Sequence, residues 1–154
     1  MYLCLMSTIG AWIKAARPRT LPLSLSGIFV GLGLTVEHGN MAPMAVIGCI
    51  VTTICFQVLS NFANDLGDGM KGTDNAARIG PMRAVQSGEI SIQQMKIGVI
   101  VLGILSVLAA GVVIYSAPAI QSGNGIIFYA VLALLCVFAA ITYTVGKKAY
   151  GWGR

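Results

Sequence analysis

Five polar side chains, Gln57, Asn61, Asn64, Asp65 and Asp68, fall at helical spacing near the middle of a 154-residue chain. On a helix they share one face. Two carboxylates one turn apart, with the amide of Asn64 beside them and a further acid at Asp74, suit a hard cation such as Mg²⁺. That ion takes roughly one or two carboxylates and fills its other positions with water and substrate phosphate oxygens. The alternating ligands of an EF-hand are missing, and so is a Walker-type glycine loop. Lys71, Arg78 and Arg83 follow in the same segment, and Arg17 and Arg19 lie upstream. Basic groups beside a carboxylate-bound cation are what a diphosphate needs. Two plainer explanations stand beside this one. Gln57 and Asn61 could serve only as hydrogen-bonding groups between helices, and the basic residues could mark only which side of a membrane they occupy.

The elements that must position these residues are apolar. Hydrophobic residues make up 56% of the chain and charged residues 10%, against roughly 45–50% and 25% in a soluble domain. A chain this small could not hide so much apolar surface in one aqueous core. Four apolar runs, near residues 20–36, 41–63, 97–117 and 125–145, approach the roughly 20 residues of a spanning helix, and none of them contains Asp, Glu, Lys or Arg. The expected fold is all-α, a polytopic membrane bundle with about four spanning helices. Residues 7–16 read as a short interfacial helix, broken by Pro18 and Pro22. Gly27 and Gly31 form a small-xxx-small pair suited to close helix packing. Ser91 and Gln94 form a capping-box pattern that starts the third long helix near Ser91. The cysteines, none at CxxC spacing, read as small apolar packing groups.

The polar segment 64–90 is the exception to this pattern, and it holds four of the five acidic residues. All ten Lys and Arg residues fall in the amino-terminal segment, in or next to this loop, or after the fourth run. The opposite loops hold none, so the positive-inside rule puts both termini and the long loop in the cytoplasm. The expected location is the cell inner membrane, and a net charge of +5 calls for no nucleic-acid partner. Gln57 and Asn61 lie at membrane depth, where polar side chains face a bundle interior or a watery cavity.

The stretch Asn-Asp-Leu-Gly-Asp-Gly-Met-Lys-Gly-Thr-Asp (residues 64–74) resembles the first aspartate-rich motif of the UbiA superfamily of intramembrane prenyltransferases. Arg-Ile-Gly-Pro-Met-Arg-Ala-Val-Gln-Ser-Gly (78–88) and Ala-Arg-Pro-Arg-Thr-Leu-Pro-Leu (16–23) are similar to the branch that prenylates 1,4-dihydroxy-2-naphthoate in menaquinone synthesis. Tyr143 and Lys147 reproduce a Tyr-x-x-x-Lys pattern of the family. The resemblance implies transfer of a polyprenyl group from its diphosphate to an aromatic acid, with decarboxylation to demethylmenaquinone and Mg²⁺ as cofactor. It implies that Asn64, Asp65 and Asp68 hold metal and diphosphate, with Asp74 as a further metal ligand. Lys71, Arg78, Arg83 and Lys147 would bind diphosphate, and Arg17 and Arg19 the aromatic carboxylate. Asn61 and Tyr143 join the substrate-binding set. The commoner family spacing puts the third acid where this chain has Gly72. No acid follows Glu89, whereas the family carries a second aspartate-rich motif in its later half. The resemblance therefore covers an amino-terminal half, and the isolated chain is expected to be inactive without a carboxy-terminal partner half. A small four-helix transporter would need an ionisable residue at mid-membrane, and the apolar runs hold none. A non-catalytic subunit is the other alternative.

Overall fold

Helix formation follows the apolar runs and then outlasts them. A computed structural model describes residues 2–37, 42–72, 82–117 and 121–146. They form α1 (Tyr2–Ala16), a 3₁₀ turn (Pro18–Thr20), α2 (Leu21–Glu37), α3 (Pro43–Lys71), α4 (Ile92–Ser116) and α5 (Gly123–Thr142). No strand occurs among the described residues, in line with the all-α expectation. α1 starts well before residue 7, because the opening residues are apolar and contain no Gly or Pro to stop a helix. Pro22 does not break α2, since it lies in the first turn, where a missing N–H costs nothing.

α3, α4 and α5 are each long and apolar enough to cross a membrane. α2, at 17 residues, lies at the lower end of the spanning range of about 17–25. α4 shows why lipid is the natural solvent. Met95, Val99, Gly103, Ser106 and Ala110 are buried on one face, while Ile97, Ile100, Ile104 and Leu108 are more than half exposed on the other. A helix that is apolar all round, yet packed on one side only, needs an apolar medium for the rest.

α3 is the hub, in contact with α1, α2, α4 and α5. The core at its carboxy-terminal end joins Leu59, Phe62, Ala63 and Leu66 to Ala11 and Ala15 of α1, Met95 and Val99 of α4, and Ala84 and Ile90 of the loop between α3 and α4. Trp12 packs against Phe62 with ring centroids 5.2 Å apart, so it serves this core as well as any membrane interface. At Gly27 and Gly31 an added Cβ would meet nothing within 4 Å, so no described helix packs on that pair. The free cysteines Cys49 and Cys55 are half-buried, and Cys136 is exposed.

The polar residues after Ala63 do not leave the helix. α3 runs on to Lys71 and ends at Gly72, whose φ of 64° provides the left-handed residue of the C-cap. The described part of the loop before α4, residues 82–91, is wound rather than extended. Ser87 N–H donates to the Arg83 carbonyl at 2.8 Å and Ile90 N–H to the Ala84 carbonyl at 3.1 Å. Ala84 and Ile90, 4% and 1% exposed, are therefore driven into the core. Ser91 then caps α4 with the expected reciprocal pair: the Gln94 N–H donates to Ser91 Oγ at 3.2 Å, and the Ser91 N–H to Gln94 Oε1 at 2.9 Å.

Candidate functional site

The polar face of α3 is divided into two tiers, each met by a different segment of chain. The tier within the apolar run consists of Gln57 and Asn61. Gln57 Nε2 donates to Thr20 Oγ1 at 3.1 Å, and Ser24 Oγ donates to Gln57 Oε1. Asn61 Nδ2 donates to the Ala16 carbonyl at 2.8 Å and to Thr20 Oγ1 at 3.2 Å. Both amides thus tie α3 to the turn between α1 and α2. Asn61 is only 4% exposed, and burial without these partners would cost about 1–3 kcal/mol.

The second tier consists of Asn64, Asp65 and Asp68, where α3 leaves the apolar run. Asp65 is 3% exposed. Its Oδ2 accepts from the Ala84 N–H at 3.1 Å and its Oδ1 from the Val85 N–H at 3.3 Å. Arg83 pairs with Asp68 and donates through Nη1 to the Asn64 carbonyl at 2.6 Å. The Thr144 hydroxyl donates to Asn64 Oδ1. One loop, residues 83–85, therefore supplies an ion pair and two backbone N–H donors to the carboxylates, and the end of α5 supplies the hydroxyl. Gly67 makes the α5 contact possible, because a Cβ there would lie 2.6 Å from the Thr144 carbonyl oxygen.

A cleft of about 640 Å³ opens beside Asp65, lined among others by Lys14, Arg17, Arg19, Arg83 and Glu89. Two of these lining residues pair with each other, Lys14 Nζ lying 3.1 Å from Glu89 Oε1. Arg17 has φ 52° and ψ 62°, a left-handed conformation unusual for a side chain that large. The structure thus brings Asp65, Arg83, Arg17 and Arg19 to one cleft, with Asp68 held by Arg83 and Asn64 close by. Lys71 closes α3 on an exposed turn. Tyr143 follows α5, 46% exposed, one residue from the Asn64 contact. Asp74, Arg78 and Lys147 lie outside the described residues.

Among the described residues, no group of three or more His, Cys, Asp or Glu side chains could enclose a metal ion. A closed cage is therefore absent from them. Each carboxylate oxygen has about two lone-pair sites, and the Ala84 and Val85 amides use one on each oxygen of Asp65. The donor set fits a cation that shares its coordination with water and substrate phosphate, which is how Mg²⁺ is ordinarily held.

Thr20, Ser24, Thr144 and the 84–85 amides were not singled out from the sequence. Thr20 lies inside the Arg-Pro-Arg-Thr stretch and Thr144 next to Tyr143, and proximity to those motifs is the only signal they carry. Their partners on α3 are 19 to 80 residues away, beyond the reach of any local pattern.

A model of the UbiA prenyltransferase family matches residues 24–154. The 1,4-dihydroxy-2-naphthoate octaprenyltransferase of Haemophilus influenzae is 43% identical over 143 residues, 92% of this chain and 46% of that protein. The protein of the same name from Escherichia coli is 38% identical over 147 residues, 96% of this chain and 47% of its own length. That of Mycobacterium leprae is 30% identical over 147 residues, 96% and 47% of the two chains. The chain thus spans about half the length of the curated relatives it matches. No solved structure matches it.

Proposed function

The chain belongs to the UbiA prenyltransferase family, and from that premise we propose that it supplies the first diphosphate-binding part of a membrane polyprenyltransferase acting on 1,4-dihydroxy-2-naphthoate. Its substrates would be a polyprenyl diphosphate and that aromatic acid. The observation that carries this reading is the convergence of Asp65 and Arg83 with Arg17 and Arg19 on one cleft, beside Asn64 and Asp68. The names of relatives 43% and 38% identical over most of this chain support the choice of reaction.

Prenyltransferases of this kind are expected to depend on a metal, and we infer Mg²⁺ from the oxygen donors. When bound, the ion withdraws charge from the leaving diphosphate. Asp65 and Asp68 would hold it, with Asn64 beside them and Asp74 as a further ligand. Arg83, which neutralises Asp68, would share its N–H groups with phosphate oxygens. Lys71, Arg78, Lys147 and the Tyr143 hydroxyl would complete the diphosphate set. Arg17 and Arg19 would receive the aromatic carboxylate, and Asn61 would serve them by holding the Ala16–Thr20 turn. In the reaction the allylic C–O bond breaks, its electron pair leaves with the diphosphate, and a ring carbon forms the new C–C bond. The carboxylate carried by that ring carbon leaves as CO2, its C–C bonding pair returning to the ring, and the quinol of demethylmenaquinone results.

The charge asymmetry supports an inner-membrane protein with both termini and the cleft on the cytoplasmic side. Residues 64–90 would then meet the diphosphate from water, while the prenyl chain stays among the helices. Asp65→Asn and Asp68→Asn in the complete membrane enzyme test the reading. Each should lower product formation about a hundredfold or more, as loss of charge-stabilising groups does elsewhere. Unchanged Mg²⁺-dependent turnover in both would sink the metal role.

A further inference from the structure

The Thr20 hydroxyl is used to its full capacity. It can donate one hydrogen bond and accept two. It donates to the Arg17 carbonyl at 2.9 Å and accepts from Gln57 Nε2 at 3.1 Å and Asn61 Nδ2 at 3.2 Å. The Thr20 backbone N–H adds a second bond to the same Arg17 carbonyl, at 2.9 Å. The residue held in this way is the one non-glycine residue with positive φ among those described. Pro18 follows it, and a residue before proline is disfavoured in the ordinary helical conformation. The chain between α1 and α2 therefore takes a left-handed kink at Arg17, and Thr20 is bonded to both sides of it: to the kink itself and to the polar face of α3.

The kink faces something definite. Arg17, Pro18 and Arg19 all line the cleft that contains Asp65 and Arg83. A regular helix through these residues would carry the two guanidinium groups elsewhere. Thr20 is not itself among the residues that line the cleft, so its effect on a ligand must pass through the turn.

We propose that Thr20 is the positioning residue of this arginine turn, its hydroxyl locking the left-handed Arg17 to Gln57 and Asn61 so that Arg17 and Arg19 meet the carboxylate of the aromatic substrate. The proposal rests on the reading of Arg17 and Arg19 given above. It makes Gln57 and Asn61 supports of the acceptor site and leaves the diphosphate site to Asp65, Asp68 and Arg83.

The test is steady-state kinetics of the complete membrane enzyme carrying Thr20→Val, Thr20→Ser or Arg17→Ala, with each substrate varied in turn. Valine keeps the branched shape and removes the hydroxyl, whereas serine keeps the hydroxyl. Thr20→Val should raise KM for the aromatic acid about tenfold, the size of one lost charge-assisted contact. KM for the prenyl diphosphate should stay within about twofold, and Thr20→Ser should behave as the parent, both differences being smaller than one ordinary hydrogen bond. Equal effects on both substrates, or no effect, would overturn the proposal. Arg17→Ala separates the two levels. If it leaves aromatic-acid KM unchanged, the arginine reading fails and the proposal with it. If it raises that KM while Thr20→Val does not, the proposal alone fails. Should Thr20→Val not accumulate in membranes, Thr20→Cys, close in size and only a weak donor, carries the same comparison.

Discussion

The two tiers on α3 differ in what they ask of their surroundings. Gln57 and Asn61 are neutral amides, and the Ala16 carbonyl, the Thr20 hydroxyl of the α1–α2 turn and the Ser24 hydroxyl of α2 satisfy them at membrane depth. Asp65 and Asp68 are carboxylates, and they need two backbone N–H groups and a guanidinium. Charge is far more costly than polarity to bury, so the amides can sit inside the apolar run and the acids only beyond it. The comparison teaches a division of labour along one helix face. The inner tier aligns segments of chain, and the outer tier holds the charged groups that the proposed function assigns to a diphosphate.

The sharpest way to break this distinction is to remove Arg83. Arg83→Ala takes the guanidinium from Asp68 and from the Asn64 carbonyl, and should destabilise the protein by about 3–5 kcal/mol, as breaking a buried ion pair does. Denaturant unfolding in detergent measures it, and adding Asp68→Ala should restore part of the loss. A loss no larger than that of a surface pair would mean the outer tier is solvated after all. Next in size is Gly67→Ala, whose Cβ would strike the Thr144 carbonyl. A cost of about 2 kcal/mol is expected from overpacking, and a neutral result would show that α5 does not rest on α3 at this point. Asn61→Leu should cost about 1–2 kcal/mol by leaving the Ala16 carbonyl without its donor. Because no charge is involved, its cost should not change with salt, and a strong salt dependence would contradict the assignment. The smallest effect belongs to Lys14→Ala at the exposed pair with Glu89. It should cost no more than about 0.5 kcal/mol, and the difference should fade at high ionic strength.

Much of this was legible in the sequence, for identifiable reasons. The apolar runs announced the helices because a bilayer demands roughly 20 apolar residues per crossing. The spacing from Gln57 to Asp68 placed those side chains on one face, and Ser91 with Gln94 announced the start of α4. The end of α3 was less visible. The hydropathy falls after Ala63, but the helix continues to Lys71 because the wound loop and the end of α5 pack against its last two turns. The Gly27–Gly31 pair shows the opposite failure, a packing pattern with no described helix upon it.

The sequence by itself determined the medium, the helices, the shared face of the polar residues and the family's motif, because each depends on neighbours a few residues apart. Only the tertiary structure decided how that face is partitioned. The 84–85 amides reach Asp65, Arg83 reaches Asp68, Thr144 reaches Asn64, and Thr20 gathers Gln57, Asn61 and Arg17. Apart from Arg83–Asp68 and Thr20–Arg17, these pairings join residues 19 to 80 positions apart. Hydrogen bonds over such separations leave no periodic trace in the chain, since they depend on which helix ends the packing brings within about 3 Å of one another.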